Sequence, residues 1–95
     1  MGIDWDEDKN FKLKLERGIG FEDVVIAINE GKILDILEHP NRDRYPSQKL
    51  LIVEIGGYAY VVPFEEREGV IRFITIFPSR KMTKQYLGGD RNGET

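Results

Sequence analysis

Between Phe21 and Ile28 the apolar residues Phe21, Val24, Val25 and Ile28 recur at i, i+3, i+4 and i+7. That spacing lays them along one face of a helix, with Ala27 beside them and Gly31 as the stop. From Lys32 onward the pattern changes. Ile33 to His39, Lys49 to Ile55, Tyr58 to Phe64 and Val70 to Phe77 are apolar-rich runs bounded by turn residues, and they predict four strands. Pro40 ends the first, and the polar stretch from Asn41 to Ser47 reads as a loop. Gly56-Gly57 suits a type I′ hairpin, because both positions tolerate positive φ. Glu65 to Gly69 forms the next turn, and Pro78 closes the fourth strand.

Ahead of these elements, Asp4, Asp6, Glu7 and Asp8 precede Lys9, Lys12, Lys14 and Arg17. Acids followed by bases match the helix macrodipole and predict a helix from about Trp5 to Arg17. Asp4 with Glu7 resembles a capping box, and Gly18 suits the left-handed position after the last turn. Phe11 and Leu15, four apart, share the expected inward face, whereas Leu13 lies off it. Downstream, Ser79 is an N-cap for a short helix reaching Leu87. The polar, Gly-rich residues 88–95 read as a mobile tail. The expected fold is a single α+β domain over residues 1–87. Two N-terminal helices pack on a four-stranded antiparallel meander, a short C-terminal helix follows, and one sheet face stays partly open.

At 95 residues the chain is one domain at most, and 40% hydrophobic residues suffice for a modest core. The absence of cysteine excludes disulfides, thiolate zinc sites and cysteine nucleophiles. One histidine and scattered carboxylates give no metal-ligand spacing, so neither metal nor cofactor is expected. No apolar run reaches the ~20 residues a membrane span needs. The acidic start lacks the features of a signal peptide, so the expected compartment is the cytoplasm.

Charge changes the picture most. The formal net charge is -3, yet the stretch from Arg72 to Tyr86 holds Arg72, Arg80, Lys81 and Lys84 and no acid. Local positive charge on an acidic chain points to RNA or an acidic protein partner. Cleavage of RNA by its own 2′-OH needs a proton acceptor, stabilisation of the phosphorane charge and a proton donor. Arg80 is the first candidate for charge stabilisation, since a planar guanidinium binds two phosphate oxygens at once. Arg72 and Lys9 are candidates for the same pocket, and His39 and Tyr86 for proton transfer. Lys81 and Lys84 suit phosphate contacts, and Tyr58 and Tyr60, on one side of a strand, suit base stacking. Each has an ordinary alternative. The cations can form a solvated face, Lys9 can pair with a nearby acid, and the tyrosines can pack in the core.

Trp5-Asp6-Glu7-Asp8-Lys9, then Arg17-Gly18-Ile19-Gly20-Phe21-Glu22-Asp23-Val24, resembles the opening of BrnT-type toxins. The stretch from Ile71-Arg72 through Ser79-Arg80-Lys81-Met82-Thr83-Lys84 to Tyr86 is similar to that family's closing strand and basic helix. The resemblance spans roughly residues 4–87. The chain departs from the pattern at Arg17, where the family usually carries His, at Leu13, where Asn is common, and in the Pro40 to Pro46 and Phe77-Pro78 segments. The resemblance implies a RelE-like toxin of a prokaryotic type II toxin–antitoxin pair, a metal-independent endoribonuclease that stops translation by acting on RNA or at the ribosome. It also implies a cognate antitoxin, often of ribbon-helix-helix type, and a homodimer or a heterotetramer with that antitoxin. The competing expectation is a non-catalytic protein-binding module of the same fold.

Overall fold

The computed structural model describes residues 2–88 of the chain and is α+β. Strand β1 (Gly2–Asp4) leads into helices α1 (Glu7–Arg17) and α2 (Phe21–Asn29). The meander β2 (Ile33–Glu38), β3 (Gln48–Ile55), β4 (Tyr58–Arg67) and β5 (Val70–Phe73) follows. The two-residue strand β6 (Phe77–Pro78), helix α3 (Arg80–Met82) and a π-helical turn at Thr83–Leu87 complete it. Gly88 caps that turn with φ 61°. The expected tail otherwise lies outside the described residues. The sheet order is β1-β5-β4-β3-β2, with β6 also on β4. The expected four-stranded meander is therefore the centre of a six-stranded mixed sheet, in which β1 runs parallel to β5.

The first helix starts later than expected, and Asp6 caps it in place of Asp4. The Asp6 carboxylate accepts from the backbone N–H of Asp8 at 2.9 Å and of Lys9 at 3.5 Å. Its inward face also differs. Phe11 and Leu15 are 63% and 70% exposed, whereas Leu13 and Asn10 are buried. The reason lies in α2, whose N-cap, Gly20, has no side chain to satisfy the first N–H groups. Asn10 supplies the missing oxygen, and its Oδ1 accepts from Phe21 N at 2.7 Å. Its Nδ2 donates to both oxygens of Glu22, each at 3.0 Å. A Cβ at Gly20 would sit 2.7 Å from that Asn10 oxygen, so glycine there leaves the room the Asn10 side chain occupies.

The fourth predicted strand is broken. Phe73 pairs with Phe64, but Phe77 pairs with Val61, so the register slips by one residue between them. The slip falls beside Pro63, whose carbonyl accepts from Ile74 N at 2.9 Å but whose ring nitrogen has no hydrogen to return. The extra residue inverts the alternation. Phe73 and Ile76 both enter the helix-side core, and Phe77, expected beside Phe73, is left exposed. A second irregularity in β2 sets Leu34 and Asp35 against Ile52.

Phe21, Val24, Leu51, Val53, Val62, Phe64, Phe73 and Ile76 form the core beneath the helices. On the opposite face, Ile52, Ala59 and Val61 form a second core. Met82, Tyr86 and Leu87 of the C-terminal segment cover it, so less of that face is open than the sequence suggests. Among the described residues, no helix is long and apolar enough to cross a membrane.

Candidate functional site

The C-terminal segment is a cationic element tied to the sheet by backbone and side-chain hydrogen bonds. Ser79 Oγ accepts from Met82 N at 3.1 Å, which caps α3. Ser79 N donates to Ala59 O at 3.0 Å, and Ala59 N returns a 2.9 Å bond to Thr83 Oγ1. The backbone of Ser79 and the hydroxyl of Thr83 thus continue the ladder along β4 where β6 has ended. Met82, Thr83, Tyr86 and Leu87 turn to the sheet, and Arg80, Lys81 and Lys84 are left exposed on the other side. Among the described residues, no ion pair involves Arg80 or Lys81.

Tyr86 anchors the far end. Its hydroxyl donates to Asp35 Oδ2 at 2.5 Å, and Asp35 Oδ1 accepts from Ile36 N at 2.8 Å. The Tyr86 hydrogen bond, followed by that of Ile36, holds the Asp35 carboxyl below its ordinary pKa. The same bond to Asp35 raises the pKa of Tyr86. Asp35 binds fewer protons folded than unfolded, so its contribution is present above the ordinary carboxylate pKa of about 4 and fades as pH falls through the lower folded value. Tyr86 contributes below its ordinary pKa of about 10 and loses that contribution as pH rises through the higher folded value. Urea titrations between pH 3 and pH 7 are expected to show a shallower acid limb for Asp35→Asn than for the parent. Identical limbs would remove Asp35 from the acid response.

This use of Tyr86 departs from the proton-transfer role expected of it, since its hydroxyl hydrogen is already committed to a carboxylate. The other candidates are also dispersed. Arg72 faces away from the helices, where Nη1 meets Asp4 Oδ1 at 3.3 Å. Glu65 is its partner across β4, so two carboxylate-bearing positions flank it. Lys9 does share a shallow depression of about 310 Å³ with Arg72, together with Asp6, Phe73 and Ile74. Arg80 lies elsewhere. Arg72 is opposite Glu65 and Pro78 opposite Tyr60, a separation of about 17 Å along β4.

His39 follows β2, an edge strand, and β3 and β4 separate it from the strand of Arg72 by about 14 Å. Its Nδ1 accepts from Asn41 N at 3.0 Å, which places the neutral ring's proton on Nε2. In that tautomer Nε2 carries the proton and is a donor. Tyr58 and Tyr60 meet edge to face with centroids 6.0 Å apart, on the helix side of the sheet. Lys81 and Lys84 belong to the segment on the opposite side, so aromatic and basic candidates do not form one surface. Among the described residues, no three His, Asp or Glu side chains gather as a metal site.

Two residues that organise this region escape a pattern reading. Asp35 is a carboxylate inside an apolar run, and its only signal is the broken alternation of Ile33-Leu34-Asp35-Ile36. Thr83 stands four residues after Ser79, and nothing local marks its hydroxyl as a ladder partner for β4. No protein family, curated protein or solved structure was found to match the chain.

Proposed function

We propose that this protein is the toxin of a cytoplasmic type II toxin–antitoxin pair and acts on RNA through the segment from Ser79 to Leu87. One observation carries the reading. Arg80, Lys81 and Lys84 project from an element pinned to the sheet at Ser79, Thr83 and Tyr86, and the element contains no acid. Fixed cations bind phosphates without first losing the freedom of a mobile chain. The sequence order of two helices, meander and basic C-terminal segment also agrees with what the BrnT resemblance implies. Within this reading Arg80 is the catalytic candidate, because its guanidinium is exposed and lacks an ion-pair partner among the described residues. The same cations offer an acidic segment of the cognate antitoxin a surface that would block RNA.

A second reading, a non-catalytic protein-binding module, is favoured by the engagement of Arg72 with Asp4 and of Tyr86 with Asp35. Those contacts give two of the expected catalytic groups a carboxylate partner. Expression without antitoxin separates the readings. The parent is expected to arrest growth and shorten RNA in the purified state, and a folded Arg80→Ala variant to lose at least about tenfold of both effects. Intact RNA and normal growth with the parent would leave the binding module.

A further inference from the structure

We infer that the loop between β2 and β3 is a nucleobase-stacking site for single-stranded RNA, with the Arg44 guanidinium as its exposed group and the Tyr45 ring, braced by a tilted His39, beneath it. This rests on the proposal that the protein acts on RNA. The Arg44 guanidinium carbon lies 5.7 Å from the centroid of the Tyr45 ring. The Tyr45 and His39 ring centroids are 4.6 Å apart, with the two planes tilted by 37°. Four hydrogen bonds fix this loop. Asn41 N donates to His39 Nδ1, Arg44 N to Asn41 Oδ1, Tyr45 N to Asn41 O and Gln48 N to Tyr45 O. A surface loop tied at so many points holds its side chains ready without help from a ligand.

The chemistry matches RNA better than an acidic protein. Three cations, Arg42, Arg44 and Lys49, stand against one acid, Asp43, between Asn41 and Lys49. Arg42 meets Glu38 at 3.9 Å, whereas no ion pair among the described residues involves Arg44. A guanidinium lying over a ring and unclaimed by a carboxylate offers a flat, cationic surface on which any base can stack. His39 Nε2–H remains available as a donor to a base carbonyl or phosphate oxygen. The loop also has a path to the basic C-terminal segment, because Tyr86 reaches Asp35 in β2 and His39 follows the end of that strand, four residues on and about 13 Å away.

The test uses a single-stranded RNA 12-mer carrying one 2-aminopurine, titrated with the parent and with Tyr45→Ala, Tyr45→Phe and Arg44→Lys. The parent is expected to bind it and quench the fluorescence. Tyr45→Ala should bind about tenfold more weakly, with the quench lost. Arg44→Lys keeps the charge but removes the plane, and should lose about fivefold. Tyr45→Phe keeps the ring and should behave as the parent, which separates loss of stacking from collapse of the loop. The stacking site is overturned, with the RNA reading intact, if Tyr45→Ala and Arg44→Lys bind as the parent does while Arg80→Ala weakens binding. It is also overturned if an RNA duplex of equal length binds as well as the single strand. It falls too if the parent binds the 12-mer without quenching it and poly-glutamate displaces that RNA, because the loop's cations then serve an acidic protein rather than a stacked base. A parent that binds no RNA ends both proposals.

Discussion

Replacing Asn10 by alanine is expected to destabilise the protein by about 3 kcal/mol and to lower its melting temperature by roughly 15 °C. Asn10 is only 1% exposed, yet it joins two helices through three hydrogen bonds. Its oxygen is the acceptor for Phe21 N at a helix start whose glycine cap has no side chain. Alanine leaves that buried N–H unpaired and opens a small cavity, and the two losses add. The Glu22 carboxyl loses its main stabilising hydrogen bond at the same time, since Asn10 is the largest cause of its lowered pKa. Lys14, at 3.2 Å, remains beside it but is half exposed and contributes little. Paired thermal and urea melts test this, and a loss below about 1 kcal/mol would show that another group or water takes over the cap.

Thr83→Val should cost about 2 kcal/mol, and Thr83→Ser well under half of that. Valine keeps the shape but removes the acceptor for Ala59 N, an amide on a fully buried residue of β4. The loss has a local signature. Hydrogen exchange at Ala59 should accelerate, followed by amides of the C-terminal segment, because Ser79 and Thr83 hold the same residue of the strand. RNA affinity should fall with it, since Arg80, Lys81 and Lys84 would then have to be ordered during binding. Unchanged exchange at Ala59 in the valine variant would contradict this anchoring.

The parts of the fold readable from pattern are those in which local and tertiary preferences agree. The apolar stripe of α2, the Gly56-Gly57 turn and the strands β3 and β4 that it joins are such cases, and both glycines do carry positive φ. Elsewhere a distant partner decides. Phe11 and Leu15 have the better hydropathy spacing, but α2 needs an oxygen from Asn10, and that need turns α1 by enough to expose them. Strand β1 is three residues long, and its partner β5 is far along the chain, so no local period announces it. The register slip beside Pro63 depends on a strand that the proline does not belong to. The candidate site was legible as a cluster of residue types rather than as a place. The run of cations after Pro78 is plain in the sequence, whereas the pairing of Arg72 with Asp4 spans 68 positions. That of Tyr86 with Asp35 spans 51.

The parallel seam between β1 and β5 also bears on how the nascent chain matures. Gly2 to Asp4 are synthesised well before Val70 to Arg72, yet can be zipped into place only once that strand has been made. Until then Ile3 and Trp5, which pack against the helix-side core, have no finished surface to meet. Strand β1 therefore docks long after it is made, and a bulky group fused ahead of it should slow the closing step more than it weakens the finished protein.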